Sequence, residues 1–398
     1  MCRGPPAFRS DRLECMTVPL NALPLETLRQ RSSTKWATHP DDVLPLFVAE
    51  TDFPLAEPIT RILTDALAIG DTGYVPPKTA YPDAFAGFAA RRWEWRADPA
   101  RVRTTCDVMM GVAEAIRAVA EPGEKVVVTS PVYPPFFDVH DESRTTCVDV
   151  PLRRSHEGWE LDLEGIERAF ANGAVAILLC NPHNPTGTAH APEVLAELAR
   201  IAERHGAIVI SDEIHAPLAL PGKRAFTPFL ASAPEAAEVG IAIHSASKTF
   251  NLAGLKCAHF VTASDRLTAL VAAIPMEVEW RTGLFGIKAG IAAYTEGDAW
   301  LDALLARLGA NQALLSDLIA EHLPAATYVP GDAGFLAWID VAALEWGDDP
   351  AAKILAEARV ALNAGRSFGA PGAGFVRINF GTGPEILSEA VRRIGALS

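Results

Sequence analysis

Six short apolar segments recur along the middle of the chain, each bounded mostly by Gly, Pro, Asn or Asp. Their length and their content of Val, Ile and Leu are typical of β-strands. Because the apolar residues run on without alternating polar ones, both faces of each strand are expected to be covered. The predicted strands are 125–129, 145–150, 174–180, 207–211, 240–244 and 257–262.

Helical patterns separate several of these strands. In residues 192–205, apolar side chains recur at the spacing of one helix face. Strands that alternate with helices form a mostly parallel sheet, because each crossover helix brings the chain back to begin another parallel strand. The pattern therefore predicts an α/β protein whose large domain has three layers, α/β/α, around a mostly parallel sheet.

A long amphipathic stripe follows in residues 298–323, about 39 Å in length if fully helical. Beyond it, segments 335–340, 360–362 and 375–380 have strand patterns, and 384–397 predicts a closing helix. Together they indicate a smaller α+β domain. We therefore predict an N-terminal segment 1–55 that packs on the small domain, a large domain 56–295, and a small domain 296–398 that includes an interdomain helix 296–323.

The chain has 398 residues and a formal net charge of −14. This excess of negative charge repels nucleic acid and anionic lipid, and no basic run offsets it. No apolar stretch reaches the roughly 18 to 20 residues that a membrane span needs. The charge and hydropathy patterns therefore favour a protein with a small-molecule partner, without nucleic acid or membrane binding.

The cysteines predict a cytoplasmic protein. All six are scattered without a C-x-x-C pair, so neither a disulfide framework nor a zinc site is indicated. The N-terminus lacks the apolar core of a secretory signal. Buried, reduced thiols are typical of cytoplasmic proteins.

The most informative motif is Ser245-Ala-Ser247-Lys248, which directly follows a predicted strand. A lysine alone is most often a solvated surface group. Here two hydroxyls flank it and a second cation, Lys256, follows. A covalently held phosphorylated aldehyde requires this combination, because the amine forms an imine while hydroxyls and a cation hold the phosphate. Nucleotide motifs of the G-x-x-x-x-G-K-[ST] type are absent from the sequence.

Asp212 ends another predicted strand, about one strand-helix-strand step before Lys248. Carboxyl ends of parallel strands meet at one edge of a sheet, so both side chains can reach one crevice. An Asp at a strand end is most often a turn former or a helix cap. Beside an imine-forming lysine, it can instead keep a pyridine nitrogen protonated, which lets the ring accept the electrons of a carbanion.

Three further signals are weaker individually. Asn184, in a loop after strand 174–180, could donate its amide hydrogen to a ring oxygen. Residues 109–115 could open a helix whose free amides around Gly111 and Val112 receive a phosphate. Tyr133 could stack on the ring, although an aromatic residue between prolines more often serves packing.

The combination of Asn184-Pro-Thr-Gly187, Asp212, Ser245-x-Ser-Lys248 and Arg377 resembles the fold-type-I pyridoxal-phosphate enzymes, the aspartate aminotransferase superfamily of class I and II aminotransferases. Segments 42–54, 211–215 and 293–301 are most similar to the bacterial cystathionine β-lyase branch, also called C-S lyases. The likeness extends over about residues 35–393. It implies pyridoxal 5′-phosphate as the cofactor.

The resemblance also implies roles for individual residues. Lys248 would hold the cofactor aldehyde and Asp212 would face the pyridine nitrogen. Asn184 would touch the ring oxygen with His215 nearby. Tyr133 would stack on the ring, and Lys248 and Tyr133 would be the catalytic residues.

For the phosphate and the substrate, the resemblance implies a second set of contacts. Residues Gly111, Val112, Ser245, Ser247 and Lys256 would hold the phosphate. Tyr74 would reach the phosphate from a second subunit, so the active form would be a homodimer. Arg377 would bind the α-carboxylate of an amino-acid substrate through two parallel hydrogen bonds.

Three functions remain open at this level. A carbon-sulfur β-lyase would cleave S-substituted L-cysteines to thiol, pyruvate and ammonia. An aminotransferase of L-amino acids is the alternative, because both reactions use every residue named above. Since some members of this branch regulate transcription through protein partners, a surface-mediated regulatory role is the third.

Overall fold

The computed structural model describes residues 20–156 and 158–397, which form fifteen β-strands and fifteen α-helices. Strands β1 to β15 are, in order, Leu44–Pro45, Val102–Thr105, Lys125–Val128, Thr146–Asp149, Arg153–Ser155, Gly158–Glu160, Ala174–Cys180, Ile208–Asp212, Gly240–His244, Ala258–Val261, Thr327–Tyr328, Leu336–Asp340, Val360–Ala361, Asn363–Ala364 and Phe375–Asn379. Helices α1 to α15 are, in order, Leu25–Leu28, Thr34–Ala37, Glu57–Ala68, Tyr81–Trp93, Val108–Val119, Pro135–Ser143, Leu163–Ala171, Pro192–His205, Pro234–Val239, Asp265–Ala272, Met276–Trp280, Leu284–Glu296, Asp298–His322, Pro350–Lys353 and Pro384–Gly395.

Seven strands form the large sheet, in the order β2-β10-β9-β8-β7-β3-β4. From β4 to β9 all neighbours are parallel, whereas β10 runs antiparallel to both β9 and β2. All six predicted strands of this sheet are present. The expectation of a mostly parallel sheet is therefore confirmed.

Helices cover both faces of this sheet, as the continuous apolar pattern requires. On one face, Leu179 of β7 packs in the same cluster as Leu198 of α8. On the other face, Leu178 of β7 packs in a second cluster with Val112 and Ile116 of α5. Neighbouring residues of one strand thus enter different cores, which confirms the predicted α/β fold with three layers.

The edge strand β2 was not predicted from the sequence. Its four residues include Arg103, Thr104 and Thr105, so the segment lacks the apolar run that marks the inner strands. It is recognisable only through its antiparallel pairing with β10.

A second sheet of four antiparallel strands, ordered β11-β12-β15-β14, lies in the C-terminal part of the chain. The predicted long helix is α13, which runs without interruption for 25 residues. The predicted strand 360–362 corresponds to β13, which pairs with β1 outside this sheet, and the strand that joins the sheet is β14, which follows it. The domain boundaries at residues 55 and 295 remain predictions, and residues 1–19 of the predicted N-terminal segment lie outside the described residues.

Candidate active site

A cavity of about 360 Å³ opens at the carboxyl ends of β7, β8 and β9. Ligands of open α/β sheets settle at this edge, where the strand order reverses. That reversal lies between the neighbouring strands β3 and β7, and the segments after both strands reach the cavity, through Tyr133 and Asn184. Nine of the residues singled out in the sequence line the cavity: Tyr133, Asn184, Asp212, His215, Ser245, Ser247, Lys248, Lys256 and Arg377.

Lys248 enters the cavity from the loop after β9. Its Nζ donates a hydrogen bond to the carbonyl oxygen of Ala49, at 3.0 Å. Burial, and after it the positive charge of Arg377, lowers the pKa of the Lys248 ammonium group to about 8. Part of this amine is therefore neutral near physiological pH, and the neutral form is the one that attacks an aldehyde or accepts a proton.

Asp212 is the last residue of β8, and its carboxylate faces the cavity. Its Oδ1 accepts a hydrogen bond from the backbone N–H of Ile214, at 3.0 Å. Burial raises the pKa of this carboxyl group to about 7, because little water is left to stabilise its charge. A cationic N–H donor in the cavity would stabilise the charged form, and a protonated pyridine nitrogen is such a donor.

Asn184 lies in the loop that follows β7, where its backbone N–H donates to Cys180 Sγ at 3.3 Å. The loop bends at Gly187, whose φ is +72°. A Cβ at this glycine would lie 3.1 Å from the carbonyl oxygen of Ala333, so both the backbone angle and the space require glycine.

Arg377 lies in the middle of β15 and is buried, with 5% of its surface exposed. Its Nη1 donates to Asn184 Oδ1 at 2.9 Å, and its Nη2 donates to Asn363 Oδ1 at 2.7 Å and to the Phe47 carbonyl at 2.9 Å. The guanidinium also lies over the ring of Phe368, 5.0 Å from its centroid.

Every one of these partners of Arg377 is electrically neutral. Among residues 20–156 and 158–397, no carboxylate forms an ion pair with it. Burial lowers the pKa of Arg377 to about 10, which leaves it charged at neutral pH. A buried cation without a counter-charge is costly, and a substrate carboxylate entering the cavity would remove that cost.

The opposite end of the cavity carries hydroxyl and amide groups. Ser245 Oγ donates to the Cys257 carbonyl at 2.7 Å and accepts from the Ser247 N–H at 3.0 Å. Lys256 Nζ lies 3.0 Å from Asp107 Oδ2, and the carboxylate raises the pKa of this lysine. This end can therefore receive an anion, with Lys256 as its cation.

Helix α5 points its first turn at the same end of the cavity, but not through the residues predicted from the sequence. Val108 and Met109, in the first turn, line the cavity, and first-turn amides have no acceptor inside a helix. The Asp107 side chain caps the helix by accepting from the Met110 N–H at 2.8 Å.

Gly111 and Val112 do not line the cavity, and the expectation that their amides are free is wrong on geometric grounds. The helix begins at Val108, one residue before the predicted segment, and Gly111 lies beyond its free amides, since the Gly111 N–H already donates to the Asp107 carbonyl at 3.0 Å. Val112 is fully buried in the core beneath the sheet. The anion-binding amides of this helix are therefore those of its first turn.

His215 and Tyr133 complete the walls of the cavity. His215 is nearly buried, and its Nδ1 has no hydrogen-bond partner among the described residues. Burial lowers its pKa to about 3, with the positive charges of Lys248 and Arg377 as further causes, so the imidazole is neutral at physiological pH. Tyr133 is half-buried, and burial raises the pKa of its phenol.

Tyr74 stands apart from this group. Its side chain is 98% exposed and it does not line the cavity of its own chain. Leu67 and Ile69 are also exposed nearby in the sequence. The role assigned to Tyr74 across a subunit interface remains a prediction.

Sequence reasoning missed the contribution of residues 47–49 and of Asn363, which also line the cavity. The first group contributes main-chain carbonyls, and these leave no side-chain signal. Asn363 pairs with Arg377 across neighbouring strands β14 and β15, so the register of a two-residue strand would have been needed to find it.

The described residues carry neither a membrane-spanning helix nor a metal-binding cluster. None of these helices is long and apolar enough to cross a membrane. Across the same part of the chain, no group of three or more His, Cys, Asp or Glu residues could hold a metal ion.

Comparisons with known proteins agree with this site. A protein of Mycobacterium leprae is 44% identical over 95% of this chain and 97% of its own length. Cystathionine beta-lyase of Corynebacterium glutamicum is 34% identical over 94% of this chain and 98% of its own length. Among solved structures, cystalysin of Treponema denticola, which contains a pyridoxal 5′-phosphate cofactor, matches with a TM-score of 0.87 at 25% identity, covering 93% of this chain and 96% of its own.

The family model for aminotransferase class I and II matches residues 72–394, which is most of the chain and includes Lys248, Asp212 and Arg377. This match confirms the resemblance drawn from the motifs. The protein therefore belongs to the aminotransferase class I and II family.

Proposed function

We propose that the protein is a pyridoxal-phosphate-dependent carbon-sulfur β-lyase that cleaves S-substituted L-cysteines to thiol, pyruvate and ammonia. The observation that carries the proposal is that Lys248, Asp212 and Arg377 line one cavity, in which burial lowers the pKa of the Lys248 amine to about 8. The choice of lyase chemistry is supported by the names of relatives, among them the cystathionine beta-lyase of Corynebacterium glutamicum.

The cavity fits pyridoxal 5′-phosphate at three points. The buried carboxyl group of Asp212 would accept a hydrogen bond from the pyridinium nitrogen, which would stabilise its charged form. Lys248 Nζ would hold the aldehyde carbon covalently. At the far end, the first-turn amides of α5 with Ser245, Ser247 and Lys256 would bind the phosphate.

The remaining ring contacts come from the cavity walls. Since Asn184 Oδ1 already accepts from Arg377, its Nδ2 is the group that can donate to the ring oxygen. Tyr133 would stack on one face of the ring. His215, which is neutral, lies among the residues around the same ring.

Each residue then has a defined task in the reaction. The guanidinium of Arg377 would bind the substrate α-carboxylate through two parallel hydrogen bonds, for which Nη2 would give up one of its two present acceptors, and this would fix the position of Cα. Bound pyridoxal phosphate supplies an electron sink for a carbanion at Cα. With the cofactor bound, the Lys248 amine would accept the proton from Cα, and its lowered pKa suits this role.

The bond changes at the substrate balance without an external oxidant. The Cα–H and Cβ–S bonds break, a Cα–Cβ double bond forms, and the sulfur leaves as a thiolate that takes up a proton. Water then hydrolyses the resulting enamine to pyruvate and ammonia. Positions 47–49, which line the cavity beside Lys248, help to exclude bulk water from the proton transfer.

The proposal includes a homodimer that works in the cytoplasm. Tyr74, exposed by 98% of its surface, would contact the phosphate of the partner's site. A large exposed aromatic residue with exposed Leu67 and Ile69 is the composition expected of an interface. The four described cysteines are unpaired with one another, which fits a reducing compartment.

A direct assay separates this function from the aminotransferase alternative. Purified holoenzyme is incubated with L-cystathionine and with S-alkyl-L-cysteines, while pyruvate and free thiol are measured together. We expect equal amounts of both products, loss of activity in Lys248→Ala, and unchanged activity in Lys223→Ala, an exposed lysine. Consumption of amino acid that requires a keto acid and releases no thiol would contradict the lyase and favour the aminotransferase.

A further inference from the structure

Residues 46–52, here called the strap, have no helix or strand, and residues 47–49 within it line the cavity. Each of the seven carbonyl oxygens in the strap accepts a hydrogen bond. Asn379 N donates to the carbonyl of residue 46, Arg377 Nη2 to that of residue 47, Lys248 Nζ to that of residue 49 and Leu23 N to that of residue 52. Asn379 Nδ2 donates to the carbonyls of residues 48 and 50, and Lys35 Nζ also donates to that of residue 50. The carbonyl of residue 51 accepts from Asn251 Nδ2 and Arg31 Nη1.

Two of those donors are residues of the active site. Lys248 Nζ is held by the Ala49 carbonyl at 3.0 Å, and Arg377 Nη2 by the Phe47 carbonyl at 2.9 Å. The strap therefore fixes the base and the carboxylate-binding group relative to each other. A displacement of the strap would move both groups together and would admit water to Lys248.

A fully buried ion pair holds the C-terminal end of the strap. Lys35 Nζ lies 2.7 Å from Asp52 Oδ2, and neither side chain is exposed. Trp36 Nε1 donates to the other carboxylate oxygen of Asp52, at 3.0 Å. Lys35 also donates to the Glu50 carbonyl, at 3.2 Å. Because buried ion pairs add little net stability, the main effect expected of this pair is to fix the position of the strap.

A second attachment comes from the loop of Lys248 itself. Asn251 accepts from the Thr51 N–H through Oδ1 and donates to the Thr51 carbonyl through Nδ2, both at 3.1 Å. This pair of bonds, here called the clasp, joins the strap to a residue three positions after Lys248. Asn251 has a φ of +58°, a backbone angle that asparagine and glycine tolerate best.

We propose that Asn251 and the Lys35–Asp52 pair are positioning residues, which hold the strap so that its carbonyls orient Lys248 and Arg377 and keep water away from the Lys248 amine. This inference rests on the proposed function of Lys248 and extends it to residues outside the cavity. Neither Asn251 nor the ion pair touches the reacting atoms.

The first test uses Asn251→Gly, which deletes the clasp while glycine accommodates the backbone angle. In cofactor-free protein, the pH dependence of Lys248 acetylation by acetic anhydride, followed by peptide mass mapping, reports the pKa of this lysine. Burial is the largest cause that lowers this pKa; the charges of Arg377 and Lys256 also lower it, whereas those of Glu50 and Asp212 raise it. A loosened strap should therefore raise it by about one unit.

The same variant should also change the kinetics of the holoenzyme. Because Arg377 loses its fixed carbonyl partner, we expect KM for the amino acid to rise up to about tenfold, with a smaller change in kcat. Gln312→Met is the matched control, since it removes an amide-to-carbonyl hydrogen bond of 3.0 Å to Gly331, outside the strap. It should leave both the titration of Lys248 and KM unchanged.

A second variant combines Lys35→Met with Asp52→Asn, which removes both buried charges and keeps an acceptor for Trp36. It should shift the titration of Lys248 in the same direction as Asn251→Gly. If this variant does not fold, the titration of Lys248 in the Asn251→Gly variant is by itself the test of the proposal. An unchanged Lys248 titration in folded Asn251→Gly protein overturns the proposal. Since this readout needs neither cofactor nor turnover, it is independent of whether the enzyme is a lyase.

Discussion

Arg377 and Asn184 are joined by a hydrogen bond of 2.9 Å, in which Nη1 of the arginine donates to Oδ1 of the asparagine. The bond links strand β15 to the loop after β7, and so connects the group proposed for the substrate carboxylate with the group proposed for the cofactor ring. Because the arginine occupies the amide oxygen, it also orients the amide nitrogen as a donor. Substrate binding and ring orientation are thereby coupled through one side chain.

Replacement of Asn184 by alanine should weaken both functions at once. A hydrogen bond to a charged group contributes about 1.5–3 kcal/mol, so we expect KM for the amino acid to rise by about 10-fold to 100-fold. The affinity for pyridoxal phosphate should fall in the same variant. Steady-state kinetics and titration of the apoenzyme with cofactor measure the two effects. A change in only one of them would argue against the coupling.

Arg377 has no carboxylate partner among the described residues, and the Asn363→Asp variant would give it one. The new carboxylate would take the place of an amide oxygen 2.7 Å from Nη2. We expect a large rise in KM, because the new carboxylate would already pair with the guanidinium and the substrate carboxylate would gain less by binding there. The cofactor absorbance should change little. Asn363→Ser, which stays neutral, is the control and should raise KM much less. Equal effects of the two variants would contradict this explanation.

Asp212 should make the cofactor-free protein less stable as the pH rises. Its folded-state pKa of about 7 lies above the ordinary value of 3.8, so the folded state binds the proton more tightly. This stabilisation is complete below pH 3.8 and is lost as the pH rises through 7. Asn cannot ionise, and the Asp212→Asn apoprotein should therefore gain stability relative to wild type between about pH 4 and 8.

Urea unfolding at several pH values measures this difference. The comparison with wild type at each pH removes the contribution of the other titrating groups. A difference in the free energy of unfolding that does not vary with pH would show that Asp212 is not the source.

Gly111 and Lys256 should affect different properties of the protein. A Cβ at Gly111 would lie 3.2 Å from Thr105 Cγ2 and 3.3 Å from Ile243 Cγ2, so Gly111→Ala should lower the free energy of unfolding by about 1–3 kcal/mol. Its cofactor affinity should change little. Lys256→Met should instead weaken cofactor binding about threefold, since the side chain is largely exposed, and leave stability nearly unchanged. If Gly111→Ala instead weakened cofactor binding and Lys256→Met lowered stability, the amide of Gly111 would have to be counted as a phosphate ligand.

The inner strands and the residues at their ends could be predicted because each leaves a local signal. The run Ala174–Cys180 is apolar throughout, and Asp212 and Lys248 follow such runs at the edge where ligands bind. The free amides of α5 were assigned too far along the helix, to Gly111 and Val112, although Asp107 before an apolar run is an N-cap signal that was available.

Other features depend on tertiary contacts that no local pattern records. The strap offers main-chain carbonyls to Lys248 and Arg377, and these contacts cannot be read from its side chains. Asn363 becomes part of the site only through its register opposite Arg377. The ion pair of Lys35 with Asp52 joins residues 17 positions apart, and only the folded chain brings them together.

Borohydride reduction of the cofactor-saturated protein, followed by peptide mass mapping, is the most direct check on the role of Lys248. Reduction would make the bond between the amine and the cofactor permanent. The account predicts one modified peptide, with the added mass on Lys248 and none on Lys256. Modification of a different lysine, or no modification in protein that has bound the cofactor, would contradict it.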